Sequence, residues 1–257
     1  MSKHSLHIVV ICCNEERRAF QKRQFAALKL PYDVTYAWAY SPDTSRDYIA
    51  DYDTKCPEFD TTLCCMRSHA AVLDWFYHNT TSDYVLVMED DVGLLKSGFA
   101  ARVDHIIDLW SKHSSEIDYV SLGYLISTDA GIYPGAVNHD EELYWGEQGE
   151  DVLWGMQAYL VKRQQAKDMI DILHQPNTIE LRKRVKAEMA KGRDYSHRYP
   201  RVQSDSLYPL LFRQGFVIPM LAIETPFQSA IQGHNVTYAR WKKAIDKGTI
   251  NLEDFYS

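Results

Sequence analysis

Tyr84-Val85-Leu86-Val87-Met88-Glu89-Asp90-Asp91 is an apolar run that ends abruptly in three acids. Without polar alternation, and too short for a typical helix, the run from Tyr84 to Met88 predicts a central strand covered on both faces. Ligands of open α/β sheets bind beyond the carboxyl ends of the strands, so Glu89, Asp90 and Asp91 stand where a ligand is expected. Carboxylate oxygens suit Mg2+ or Mn2+, and such a cation keeps its other positions for water and phosphate oxygens. Asp91 with Glu89 is therefore the candidate metal pair, set against the plainer alternative of three acids in a solvated turn.

Working outward, Met66, Ala70, Leu73 and Phe76 recur at helical spacing and predict a helix that leads through Asn79-Thr80-Thr81 into this strand. His7 to Cys13 is a second short run, rich in β-branched residues, and Asn14 with Glu15 and Glu16 supplies helix-start chemistry directly after it. That helix runs through Leu28 and ends near Pro31, and Val34, Tyr36, Trp38 and Tyr40 then alternate as in a half-buried strand. A β-α-β unit opens the chain. Residues 41–60 read as an irregular loop. Further strands are expected at 118–122, 156–161 and 216–221, with helices at 163–173 and at 205–214, the latter stopped by Gly215. Residues 178–199 read as an added helix and loop. The expectation is one α/β domain over residues 1–257, a mostly parallel sheet with helices on both faces.

Apolar residues at 46% and charged residues at 25% exclude a disordered or fibrous chain. The formal charge is −7, with basic residues concentrated only around Arg182 to Lys191, so nucleic acid is not an expected partner. An acidic protein still handles a diphosphate when a divalent cation neutralises it locally. Five cysteines include the adjacent pairs Cys12-Cys13 and Cys64-Cys65 in apolar surroundings, without CxxC or a Cys/His spacing for zinc, which reads as reduced, buried thiols. With neither a signal peptide nor a membrane-length apolar run, a cytosolic protein is expected, and the Asn235-Val236-Thr237 sequon then carries no weight.

The block Cys64-Cys65-Met66-Arg67-Ser68-His69-Ala70-Ala71-Val72-Leu73, followed by Tyr84 to Met88 and Glu89-Asp90-Asp91-Val92, resembles glycosyltransferase family 25. That family holds the lipooligosaccharide galactosyltransferases and the collagen galactosyltransferases. Glu16-Arg17-Arg18 looks like its Glu-Arg-Arg, Trp154-Gly155 like its Trp-Gly-x-x-x-Tyr segment, and Ser204-Asp205-Ser206-Leu207 like its Asp-containing helix. The likeness spans Ile8 to about Ser229. Arg67 departs from it, standing where many members have a small or apolar residue, and residues 178–199 have no counterpart in it. What the resemblance implies is a GT-A-type, Rossmann-like fold, a nucleotide-sugar donor of the UDP-sugar kind, Mn2+ or Mg2+, a glycan acceptor, and transfer with inversion.

Inversion needs a base on the acceptor hydroxyl, well away from the metal pair. Asp205, at the expected start of a helix, is the candidate, unless it only caps that helix; Glu150 and Asp151 are in reserve. Ser68 and His69 are expected to shape the donor pocket together with Glu89 and Asp90, although a packed helix histidine is the alternative for His69. Arg17 and Arg18 are candidates for the donor phosphates or, alternatively, for a solvated helix face. His234 is a candidate third metal ligand, against a plain surface-loop histidine. Trp145, Trp154 and Tyr159 are expected either to stack on a sugar or base or to pack in the core. Nucleotidyl transfer ranks lower, because the turn after the first strand lacks the glycine-rich phosphate loop, and a carbohydrate-binding protein without catalysis is the third reading.

Overall fold

The computed structural model describes residues 3–40, 59–125, 138–146, 154–173, 208, 211–225 and 251–256. Strand β1 (Leu6–Cys12) leads through Asn14, whose side chain accepts the Arg17 N–H and caps the helix, into α1 (Glu15–Leu28), and β2 (Asp33–Trp38) completes the expected β-α-β unit. Helix α2 (Phe59–Asn79) feeds β3 (Tyr84–Glu89), which turns at Asp90-Asp91 into the short β4 (Val92–Leu94). Then come α3 (Phe99–Lys112), β5 (Tyr119–Leu125), β6 (Asn138–Asp140), β7 (Leu143–Trp145), β8 (Trp154–Lys162), α4 (Arg163–Leu173), β9 (Gln214–Val217) and β10 (Ala222–Glu224).

The main sheet has eight strands in the order β2-β1-β3-β8-β5-β9-β7-β6. β1 is parallel to β2 and to β3, and β5 is parallel to β9. β8 runs antiparallel between β3 and β5, and β7 runs antiparallel to both its neighbours. The sheet is therefore mixed but mostly of one sense, the α/β fold of GT-A type that the resemblance implies. β4 and β10 pair separately as a two-stranded antiparallel sheet.

Helices cover both faces, as the double-sided apolar runs require. Ile8, Val10, Leu86 and Met88 face Phe25 of α1 and Val103, Ile106 and Trp110 of α3. Val9, Ile11, Val85 and Val87 face Met66, Ala70, Leu73 and Phe76 of α2 and Ala166 and Met169 of α4. Each such side chain contributes about 1.5–3 kcal/mol on burial, which makes the β1/β3 pair the anchor of the core.

Two expectations need correction near the end of the sheet. Gln214 and Gly215 do not close a helix: Tyr208 and Leu211 are helical, but Gln214 begins β9, where it pairs with Tyr119. Gly215 lies within β9, and a Cβ there would press on Ile117, which accounts for glycine at this position. The apolar stretch 216–221 is not one strand, since β9 stops at Val217, two residues before Pro219, which has no N–H for a ladder, and β10 begins at Ala222. Helix α3, absent from the expectations, carries Val103, Ile106, Ile107 and Trp110 at amphipathic spacing.

Residues 178–199 lie outside the described residues. Among the described residues no helix is long and apolar enough to cross a membrane. Cys12, Cys13, Cys64 and Cys65 form no disulfide, but the expectation of buried thiols holds only for Cys12 and Cys64: Cys65 is half-buried, and Cys13 is exposed at the turn into α1; Cys56 lies outside the described residues.

Candidate functional site

Parallel pairing sets Ile11 of β1 opposite Glu89 of β3, so the acidic run ends beside the turn into α1. One stripe of α1 at helical spacing, Arg17, Gln21 and Gln24, is buried and polar. Arg17 Nη1 donates to Asp90 Oδ1 and to Asp91 Oδ2, each at 3.0 Å. Gln21 Nε2 donates to the backbone oxygens of Asp90 (3.0 Å) and Val92 (2.8 Å). Gln24 accepts the Leu94 N–H at 2.8 Å and donates to the Val92 oxygen at 3.1 Å. The stripe thus stands in for a missing neighbour strand along β4.

Asp90 closes this clasp. Its Oδ2 accepts the Cys13 N–H while Oδ1 accepts from Arg17. Burial pushes its carboxyl above the ordinary value, against the pull of the Cys13 and Arg17 hydrogen bonds. The neighbouring Cys13 thiol is pushed up to about 12 by burial and by the Asp90 and Glu89 charges, so it stays protonated.

Asp91 is placed differently. The chain turns after Glu89, so the two acids approach across a bend and not by alternation along an extended segment. Thr225 holds the Asp91 backbone oxygen through its N–H and its hydroxyl, both at 2.7 Å. Oδ2 takes Arg17, while Oδ1 is buried with no hydrogen-bond partner among the described residues. Burial, with the charges of Glu89 and Glu224, pushes the Asp91 carboxyl well above the ordinary range, and Arg17 only partly offsets this.

Glu89 faces α2, where Cys65 and His69 sit one turn apart on the same side. His69 Nε2 lies 3.4 Å and Cys65 Sγ 3.7 Å from Glu89 Oε1, and His69 Nδ1 lies 3.0 Å from the Tyr159 hydroxyl. Burial pushes the Glu89 carboxyl up, but the contacts with His69 and Cys65 and the Arg17 charge hold it below its ordinary value. Gln157, one residue before the Ala158 that pairs with Met88, buries an Oε1 with no hydrogen-bond partner among the described residues.

The fold gathers Arg17, Ser68, His69, Glu89, Asp90 and Asp91 at one end of β1 and β3. Ser68 has its hydroxyl occupied, donating to the Cys64 oxygen (2.7 Å) and accepting the Tyr40 N–H (2.9 Å). Arg18 points elsewhere, its guanidinium 4.9 Å from the ring of Trp38, which is 50% exposed on the edge strand. Trp145 sits in β7, four strands from β3, buried against His113 with its Nε1 donating to Glu116. Tyr159 is core, in ring contact with Tyr119 and Tyr208. Trp154 contributes the first backbone position of β8. Asp205, Glu150, Asp151 and His234 lie outside the described residues.

Neither Glu224 nor Gln157 carries a local signal, since each reaches the site through sheet pairing alone. Cys65 did carry one. Cys65-x-x-x-His69 is the helical spacing that aims two ligand atoms the same way, although it is not a zinc-finger pattern.

A hard cation fits the residues present at Asp91: a buried carboxylate oxygen without a partner among the described residues, in a neighbourhood of acids, is what oxygen-seeking Mg2+ or Mn2+ would satisfy.

The family described as "Glycosyltransferase family 25 (LPS biosynthesis protein)" matches residues 4–181. No curated protein matches the chain. Among solved structures, a glycosyltransferase involved in the glycosylation of the major capsid of PBCV-1 is 10% identical over 95% of this chain and 100% of that one, with a TM-score of 0.42. The galactosyltransferase LgtC, in complex with donor and acceptor sugar analogs, is 12% identical over 95% and 100%, TM-score 0.41. Mannose-1-phosphate geranyltransferase from Thermus thermophilus is 11% identical over 86% and 74%, also at 0.41. These structural likenesses carry no functional argument.

Proposed function

The chain belongs to glycosyltransferase family 25, and from that premise we propose that it moves a sugar from a UDP-sugar donor to a glycan hydroxyl with inversion, using Mn2+ or Mg2+ at Asp91. The observation that carries this reading is the buried Asp91 Oδ1, which has no hydrogen-bond partner among the described residues. A carboxylate so placed keeps its full capacity for a ligand that arrives with the substrate. When bound, the cation neutralises the diphosphate and makes it a better leaving group.

Asp91 and Glu89 are the proposed holders, with His234 as a third. Arg17 occupies Asp91 Oδ2, and Oδ1 is the oxygen this reading assigns to the cation. In its charged form Glu89 adds a second anionic oxygen, which the His69 and Cys65 contacts favour. Asp205 is the proposed base, with Glu150 and Asp151 in reserve: it takes the acceptor hydroxyl proton as that oxygen bonds to the anomeric carbon and the nucleotide diphosphate departs with its electron pair. A nucleotidyl-transfer reading is less well supported, because the turn after β1 has no glycine and its Cys13 amide is occupied by Asp90.

Calorimetric titration of UDP with and without Mn2+, alongside a nucleotide-release assay over a panel of nucleotide sugars, tests the reading. Asp91→Asn is expected to lose Mn2+-dependent binding and turnover together, whereas Asp205→Asn loses about 10²-fold in turnover with donor affinity kept. Unchanged Mn2+-dependent affinity in Asp91→Asn sinks the metal assignment, and near-normal turnover in Asp205→Asn moves the base to Glu150 or Asp151. The proposed place of action is the cytoplasm, supported by four described cysteines without a disulfide. Alkylation under denaturing, non-reducing conditions should label all five thiols, and a stable disulfide would overturn it.

A further inference from the structure

We propose that Cys65, His69 and Glu89 form a second cation site, which shares Glu89 but not Asp91 with the one proposed above and is selective for a thiophilic divalent ion of the Zn2+ kind. Their ligand atoms all lie within 4.8 Å of one another. Cys65 Sγ–H donates to Glu89 Oε1 at 3.7 Å, and His69 Nε2 lies 3.4 Å from the same oxygen, a long contact for nitrogen. Both separations are also compatible with edges of a tetrahedron around one ion: bonds of about 2.0–2.3 Å give edges of about 3.4 Å for N···O and about 3.6 Å for S···O.

A second observation supports the imidazole as a ligand. His69 is 1% exposed, and its Nδ1 lies 3.0 Å from the Tyr159 hydroxyl. With Nδ1–H donating to the Tyr159 oxygen, Nε2 presents its lone pair toward Cys65 and Glu89, which is the outer hydrogen bond that ligating histidines usually have. The charges also balance: thiolate and carboxylate together neutralise a divalent ion, and the thiol proton leaves on binding. Three protein ligands leave a fourth position open, and the Glu89 side chain is 31% exposed, so the cluster is not sealed from solvent. The mixed S, N and O set favours Zn2+ or Co2+ over Mg2+, whereas Asp91 offers oxygen alone. Glu89 is common to both proposals; Cys65 and His69 are not, and neither the cobalt band nor the protection of Cys65 requires the reaction proposed above.

Metal-free protein titrated with Co2+ tests it. One equivalent should produce the thiolate-to-cobalt charge-transfer absorption and the intense visible bands of tetrahedral cobalt, and Zn2+ should displace them. Cys65→Ser should abolish the charge-transfer band and weaken Zn2+ binding at least tenfold, and Glu89→Gln should weaken it comparably. Asp91→Asn should keep the band. In the folded wild type, one equivalent of Zn2+ should slow alkylation of Cys65 at least tenfold by peptide mass spectrometry, a readout that needs no variant. A band that survives Cys65→Ser, a band lost in Asp91→Asn, or unprotected Cys65 in the wild type overturns the site.

Discussion

On the α1 side of the turn after β3, Asp90 has both carboxylate oxygens engaged, by the Cys13 amide and by Arg17, and the backbone beyond it is held by Gln21 and Gln24. One residue later, Asp91 meets the same Arg17 with one oxygen and nothing described with the other, and acids surround it. Both carboxyls are buried, so both incur the cost of leaving water, and the first recovers more of it within the protein, with both oxygens engaged against one. Two adjacent, chemically identical side chains thus differ in their work: one holds the turn, and the other keeps a buried oxygen without a hydrogen-bond partner among the described residues, the one proposed for a cation. The difference follows from which side of the bend each one faces.

The comparison breaks or holds first on stability. Asp90→Ala strands the Cys13 N–H and takes one partner from a buried guanidinium, and it should cost about 3 kcal/mol in urea unfolding of metal-free protein. A loss below about 1 kcal/mol would mean that Asp90 is no clasp. Gln24→Leu keeps the volume but leaves the Leu94 N–H without its acceptor, for an expected loss of about 2 kcal/mol in the same measurement.

The smallest effect belongs to Asp91, and it has the opposite sign. Its carboxyl is raised well above the ordinary range by burial and by Glu89 and Glu224, so the folded protein holds that proton more tightly than the unfolded chain does. Stability of the metal-free wild type should therefore fall as pH climbs from the unfolded carboxylate value, about 3.9, through the raised folded one. Asp91→Asn removes that contribution to the slope and should make the metal-free protein more stable near neutrality, while Mn2+ is expected to stabilise only the wild type. Urea midpoints across a pH series read both, and a variant less stable than metal-free wild type at neutral pH contradicts the comparison.

Part of this division was legible in the chain and part was not. The runs around Ile8 and Leu86 declare central strands because every position is apolar, and the Glu89-Asp90-Asp91 break marks where the strand meets the site. The spacing of Val103, Ile106, Ile107 and Trp110 is as strong a local signal for α3 as the one that marks α2, so that helix was readable. The antiparallel entry of β8 between β3 and β5 was not, since strand direction depends on the connection and not on periodicity. Nor could local pattern tell Asp90 from Asp91: Arg17 lies 73 and 74 positions away from them, and its role as their shared partner emerges only once α1 is docked. Glu224 joins them through the β4–β10 pairing.

That pairing also bears on how the protein is made. Asp91 is latched by Thr225, 134 positions further along the chain, and β4 receives β10 on one side and the Tyr256 amide at Leu94. Gly93 lies where a Cβ would run into the Tyr256 carbonyl, so these late segments lie directly on β4. A ribosome releases residues in order. The acidic turn therefore emerges long before the segments that lock its backbone, and a nascent chain halted ahead of Ala222 holds every acid of the Glu89–Asp91 run without the strand that fixes their direction. The geometry of the acidic turn is thus a late-arriving property of synthesis, fixed only after most of the main sheet has left the tunnel.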